Sequence, residues 1–166
     1  GAALMGSPEV VDLLLDNGAD PSHVADSGGF TLFQACANDA STPSMLEALC
    51  SGGVDVNRQR VPQTRKWLAI FRVFESLVKR RVSTGAFSLS MAHDRGGTAL
   101  HVAAQTGNTD LVVALLAMGA EQSLEIRNAM GSTPLEVAQI FGPFPETESA
   151  LVQASLDQKF RRRGRR

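Results

Sequence analysis

The stretch "GGTALHVAAQTGNTDLVVALLAMGA", residues 96–120, contains two short apolar runs, each closed by a glycine, Gly107 and Gly119. Leu111, Val112, Leu115 and Leu116 recur at helical spacing, so one face of the second run is apolar. Ala103 and Ala104 keep the first run slim enough for close helix packing. The spacing predicts helix, turn, helix, with Gly107 separating the helices and Gly119 ending the pair in a positive-φ cap.

The same pattern recurs elsewhere in the chain. "SPEVVDLLLDN" lies between Gly6 and Gly18, and "GFTLFQACA" and "GSTPLEVAQ" start at residues 29 and 131. Thr98 and Thr133 are 35 residues apart; Thr31 and Thr98 are 67 apart, close to two such periods. A threonine hydroxyl at each helix start can accept from an orphan amide of the first turn, so Thr31, Thr98 and Thr133 are predicted N-caps. Gln34 and Glu136, three residues on, complete predicted capping boxes, and His101 takes the equivalent position. Pro134 falls at the first helical position, where a missing N–H costs least.

A unit of about 33 residues built as turn, helix, helix resembles the ankyrin repeat. Residues 96–120 are similar to that family's consensus over nearly a full unit, and "EVVDLLLDNGAD" and "GSTPLEVA" add independent support. The resemblance implies an all-α solenoid of stacked helix-turn-helix units with short finger loops. It would occupy residues 1–154 in about four to five units, the first truncated, with 155–166 as a basic C-terminal tail. The chain opens at Gly1 and inside a unit, which fits a fragment of a longer array.

Composition supports an ordinary globular protein, 43% hydrophobic and 20% charged, with a core of Leu, Val and Ala because aromatics are only 5%. No apolar run is long enough to span a bilayer, and no basic n-region opens a signal peptide. Cys36 and Cys50 stand in apolar stretches without metal-ligand spacing, so they are expected as reduced thiols of an intracellular, cytoplasmic protein. The net charge of −1 conceals segregation: residues 1–57 carry eight acids and no Lys or Arg, and residues 58–81 carry eight bases and one acid, Glu75. Six more bases lie in 159–166, a segment open to readings as a disordered tail, a nuclear-import signal or a nucleic-acid contact.

Residues 60–93 are irregular. Trp67, Ile70, Phe71, Phe74, Leu77 and Val78 form one helical stripe, and Arg65, Lys66, Arg72, Glu75, Lys79 and Arg80 fall on the other face. The segment is about one repeat long. Two readings stand: a degenerate unit whose stripe packs between its neighbours, which the 67-residue spacing favours, or an inserted helix that is itself a basic ligand element.

No serine elbow, phosphate-binding loop or Cys/His pair occurs at a useful spacing, so no enzyme activity, metal or cofactor is expected. His101 is expected to be structural, and His23 and His93 to be solvated in loops. The ankyrin resemblance implies a protein-binding module that uses finger tips and inner helices. It carries over to Ser27, Phe30, Asp94, Arg95, Met130 and Ser132 on the fingers and to Asn38, Asp39, Gln105, Thr106 and Ile140 on the helices. Phe30 and Met130 would be exposed anchors. Two alternatives are a regulatory segment of a larger enzyme or channel, and binding of an acidic, phosphorylated or nucleic-acid partner through Arg65, Lys66, Arg72, Lys79, Arg80 and the tail.

Overall fold

The computed structural model of the chain describes residues 8–38 and 40–164. Its helices are α1 (Pro8–Asp16), α2 (Thr31–Cys36), α3 (Pro43–Ser51), α4 (Arg65–Lys79) and α5 (Ala86–Asp94), followed by α6 (Ala99–Thr106), α7 (Thr109–Ala117), α8 (Pro134–Phe141) and α9 (Pro145–Arg163). A 3₁₀ turn, Ala120–Leu124, follows α7. Among the described residues the only β pairing is an isolated bridge between Val24 and Phe30.

The helices form two parallel rows. The inner row stacks α2 on α6 and α6 on α8; the outer row stacks α1 on α3, α3 on α7 and α7 on α9. The stripes of α3, α6 and α7 are thereby covered from both sides, and Leu32, Leu46, Leu49, Leu100, Leu111 and Leu115 have no measurable exposure, whereas Val10, Leu13 and Leu14 of α1 stay exposed. Ala35, Ala99, Ala103 and Ala104 are equally buried, since only small side chains fit where inner helices touch. This is an all-α repeat fold.

Local chemistry sets the helix ends. Thr133 caps α8: its hydroxyl accepts from the Glu136 amide (3.3 Å), and the Glu136 carboxylate accepts from the Thr133 amide (2.7 Å). That backbone bond, with Arg127 alongside, holds the Glu136 carboxyl below the usual carboxylate range. In α6 the Thr98 amide donates to Nδ1 of His101 (3.1 Å), and Nε2 of the same ring bonds the Ser132 carbonyl (3.1 Å) in the next unit. The first of the three predicted caps differs. Helix α2 begins at Thr31 with Phe30 as its extended N-cap, and the Gln34 amide donates to the Phe30 carbonyl, so Thr31 and Gln34 form no capping box. Gly107 (φ +69°) and Gly119 (φ +98°) take the left-handed conformation expected of them. At Gly107 any Cβ would collide with the Phe144 ring. Gly6 lies outside the described residues.

Residues 60–93 do not form a layer between neighbours. Helix α2 contacts α6 and α3 contacts α7 directly, while α4 and α5 pack chiefly on each other. The amide of Arg60 donates to the Gly97 carbonyl (2.7 Å), and the Gly96 amide donates to the Arg60 carbonyl (2.8 Å). Residues 58–60 and 94–97 are thus the two arms of one finger, and the α4–α5 hairpin is looped out of its tip. The 67-residue spacing is one repeat plus one hairpin of similar length, which is why it passes for two periods. The stripe on α4 is covered by α5 instead, with Phe74 edge-on to Phe87 at 5.6 Å.

The basic C-terminal segment also differs from a tail. Helix α9 runs on to Arg163, because Arg161 reaches Glu121 (2.7 Å) and Arg162 reaches Glu125 (2.9 Å) on the 3₁₀ turn. Gln158 adds a bond to the Glu121 carbonyl (2.8 Å).

Candidate binding face

The looped-out hairpin changes what the fingers present. Arg60 is its main attachment. The guanidinium lies 5.0 Å from the centre of the Phe33 ring on α2 and 4.9 Å from that of Phe71 on α4, bridging stack and hairpin. It also pairs with Asp94 (2.5 Å) and donates through Nε to the Ser27 carbonyl (3.3 Å). Burial raises the Asp94 carboxyl above its usual range, with Arg60 opposing, and burial lowers Arg60 in turn. A second pair is bidentate: Arg95 donates Nε (2.6 Å) and Nη2 (2.8 Å) to the two carboxylate oxygens of Glu75, which is 6% exposed.

Asp94 and Arg95, expected as free finger-tip contacts, are therefore engaged in fastening the hairpin. Gln105 is engaged as well, donating to Ser90 on α5 (2.8 Å). Phe30, expected as an exposed anchor, is 1% exposed and packs edge-on against Phe33 at 5.6 Å. An aromatic ring beside the bridge to Val24 is drawn into the core because that is where apolar area leaves water. Met130 is half-buried, Ser132 is buried beneath its own turn, and Ile140 is 44% exposed on α8. Asn38 is half-buried, its side-chain carbonyl accepting from Ala40 (3.0 Å). Asp39 lies outside the described residues.

Four of the sequence-derived residues do converge. Ser27, Asp94, Gln105 and Thr106 line one recess of about 400 Å³ on the inner side of the stack. Its remaining wall comes from α2 (Phe33, Gln34), from Arg60 and from Ser90 of α5. Gln34, freed from capping, faces this space. Gln34, Arg60 and Ser90 escape sequence reasoning because nothing local says that residues 60 and 90 return to α2 and α6.

Two of the three histidines, His93 and His101, are buried, and His93 departs from expectation. His101 is 3% exposed, and burial pulls its imidazole down to about 4. His93 is not in a solvated loop: it is 4% exposed in the last turn of α5, edge-on to Phe141 of α8 at 5.7 Å. Its carbonyl accepts from Asn128 (3.0 Å), and burial lowers its imidazole too. His23 is exposed. Cys36 and Cys50 are free thiols, and burial pushes both up. Among the described residues, no cluster of three or more His, Cys, Asp or Glu side chains could hold a metal, and no helix is long and apolar enough to cross a membrane.

Arg65, Lys66, Arg72, Lys79 and Arg80 are all exposed on α4 and its end, and among the described residues none of them enters an ion pair.

Paired helices stacked in two rows, with finger loops between units, define a repeat protein. Family comparison agrees: "Ankyrin repeats (many copies)" matches residues 77–138 and "Ankyrin repeat" matches residues 2–27. The chain belongs to the ankyrin-repeat proteins. Such repeats are general protein–protein interaction modules. No curated protein matches the chain.

Proposed function

We propose that the chain is a non-enzymatic module that binds a segment of a protein partner on the inner side of the stack, in the recess between α2, α6 and α5. The observation that carries this reading is the recess itself, where the hairpin walls off part of an inner face that a plain stack would leave open. Gln34, Ser90, Gln105 and Thr106 supply amide and hydroxyl groups around the Phe33 ring, a mixture suited to an extended peptide with one apolar side chain. The finger tips contribute less, since Asp94 and Arg95 are committed to the hairpin.

A second reading rests on a separate observation, the row of exposed, unpaired cations on α4. Arg65, Lys66, Arg72, Lys79 and Arg80 suit an acidic or phosphorylated protein segment, with guanidinium forks matching carboxylate or phosphate oxygens. Nucleic acid is the weaker match, because Phe71 is buried under Arg60 and Phe74 packs on Phe87, which leaves few aromatic faces on α4 for base stacking.

Selection of a random peptide library on the folded chain tests both readings. Thr106→Trp fills the recess mouth from an exposed position. Peptides that lose binding to Thr106→Trp but not to Arg65→Glu/Lys66→Glu/Arg72→Glu support the recess. Acid-rich peptides with the reverse pattern support the basic face. Peptides indifferent to both variants overturn the two readings together.

A further inference from the structure

The turn joining α4 to α5 is Arg80-Arg81-Val82-Ser83-Thr84-Gly85, preceded by Lys79. Two arginines thus stand three and two residues before a serine. That register suits serine/threonine kinases whose substrate groove is lined with carboxylates: the guanidiniums pair there while the hydroxyl is presented to the γ-phosphate of ATP.

The structure leaves the register on the surface. Arg80, Arg81, Val82, Thr84, Gly85 and Ala86 are exposed, Val82 to 69%, and Ser83 between them is half-buried. The turn is the outer end of a hairpin that packs on itself rather than within the stack. Backbone bonds tie Arg80 to Ser76, Arg81 to Val78, and both Val82 and Ser83 to Leu77. Releasing them frays only the last turn of α4 and leaves Phe71, with its contact to Arg60, in place.

We propose that Ser83 is a phosphorylation site for an arginine-directed serine/threonine kinase using MgATP. Ser83 Oγ attacks the γ-phosphorus, an O–P bond forms, the bond from that phosphorus to the β,γ-bridging oxygen breaks, and ADP departs. The hydroxyl proton passes to the kinase's carboxylate base. Thr84 is the competing hydroxyl; Arg81 stands three residues before it, but Val82 occupies the position two before.

Unmodified, Ser83 Oγ donates to Ser88 Oγ (2.8 Å) in the first turn of α5, a helix whose N-cap is Gly85 and carries no side-chain cap. A phosphate on Ser83 would sit ahead of these uncapped amides and beside Arg80 and Arg81, a setting that favours a dianion. Phosphoserine carries about −1.5 to −2 at neutral pH, which cancels about half to two thirds of the charge of Lys79, Arg80 and Arg81. The modification would therefore discharge one end of the basic face. That consequence rests on the acidic-partner reading above; the assignment of the acceptor does not.

The test incubates the folded full chain with MgATP and the purified catalytic subunit of cyclic-AMP-dependent protein kinase, and locates phosphate by intact mass and peptide fragmentation. One phosphoryl group on Ser83 is expected, lost in Ser83→Ala and retained in Thr84→Ala. Arg80→Gln/Arg81→Gln should slow transfer by roughly tenfold or more, since two charge-assisted contacts to the kinase are removed. Absence of phosphate on the folded chain, or phosphate on Thr84 or elsewhere in place of Ser83, overturns the proposal. Retention on an immobilised poly-glutamate peptide reports the consequence separately. Phosphorylated chain should elute at lower salt than unmodified chain; identical elution with Ser83 fully phosphorylated keeps the acceptor and removes the acidic-partner reading.

Discussion

The stack and the hairpin are both made of paired amphipathic helices, yet they bury their side chains to different depths. In the stack, Leu32, Leu46, Leu49, Leu100, Leu111 and Leu115 on α2, α3, α6 and α7 are fully buried, and α3, α6 and α7 each have a neighbour on either side in their row. On α4 only Phe71 and Glu75 are buried, Trp67, Ile70, Phe74, Leu77 and Val78 are half-buried and Val73 is 56% exposed, while Phe87 on α5 is 68% exposed. The hairpin has one helical partner per helix and a single edge against the stack. What it lacks in apolar cover is supplied by oriented polar contacts: Arg60 with Asp94, Glu75 with Arg95, and Gln105 with Ser90. Apolar burial specifies the stack, and directional charge pairs specify where the hairpin lies.

The largest expected difference between the two regions is in truncations. Leu100→Ala, in the centre of the inner row, should cost about 2–5 kcal/mol, from lost burial plus a cavity that neighbours on both sides cannot fill. Phe87→Ala on the hairpin should stay within about 1 kcal/mol, because most of that ring is already in water. Urea unfolding of the two variants measures both. Equal losses would mean that the hairpin is as much a part of the core as α6.

Acid should act next most strongly, and on the joint between units. Burial holds the His101 imidazole at about 4 against an ordinary 6.5, and lowers His93 in the same direction. A depressed folded-state pKa gives stability that is present above about pH 6.5 and lost as pH falls towards 4. The His101 share is about 3 kcal/mol. His101→Gln should be less stable at neutral pH and show a flatter decline with acid. A decline as steep as that of the unaltered chain would assign the acid sensitivity elsewhere.

Glu75→Gln should cost about 1–3 kcal/mol locally, since it leaves Arg95 without its bidentate partner. Amide exchange should quicken in α4 and α5 while α6–α8 keep their protection, as expected of a unit that opens by itself. Uniform acceleration across all helices would show that hairpin and stack unfold together.

The smallest effect is expected from Arg65→Glu/Lys66→Glu/Arg72→Glu. Each position is exposed and unpaired among the described residues, so each change should alter stability by no more than about 0.5 kcal/mol. Association with an acidic peptide should slow and lose its salt dependence. A triple variant that fails to fold would mean that the outer face of α4 is packed.

The sequence by itself determined the repeat. Threonine at the start of each inner helix, alanines within it, leucines at helical spacing in the outer helix and glycine after it are local signals, and each acts within a few residues of itself. Hence Thr98, Thr133, Pro134, Gly107 and Gly119 all stand where the pattern puts them. Tertiary structure alone decided what residues 60–93 do. An amphipathic stripe says that one face must be covered but not by what, and an insert of one repeat length leaves the period intact. The same limit hid the burial of Phe30, the recess that joins Ser27 to Thr106, and the continuation of α9 to Arg163. Each depends on partners distant in the chain, 15 to 40 residues apart in Gln105 with Ser90, Arg60 with Asp94 and Arg161 with Glu121. Only the folded chain brings these together, because ion pairs and side-chain hydrogen bonds act over a few ångströms in space and leave no period in the sequence.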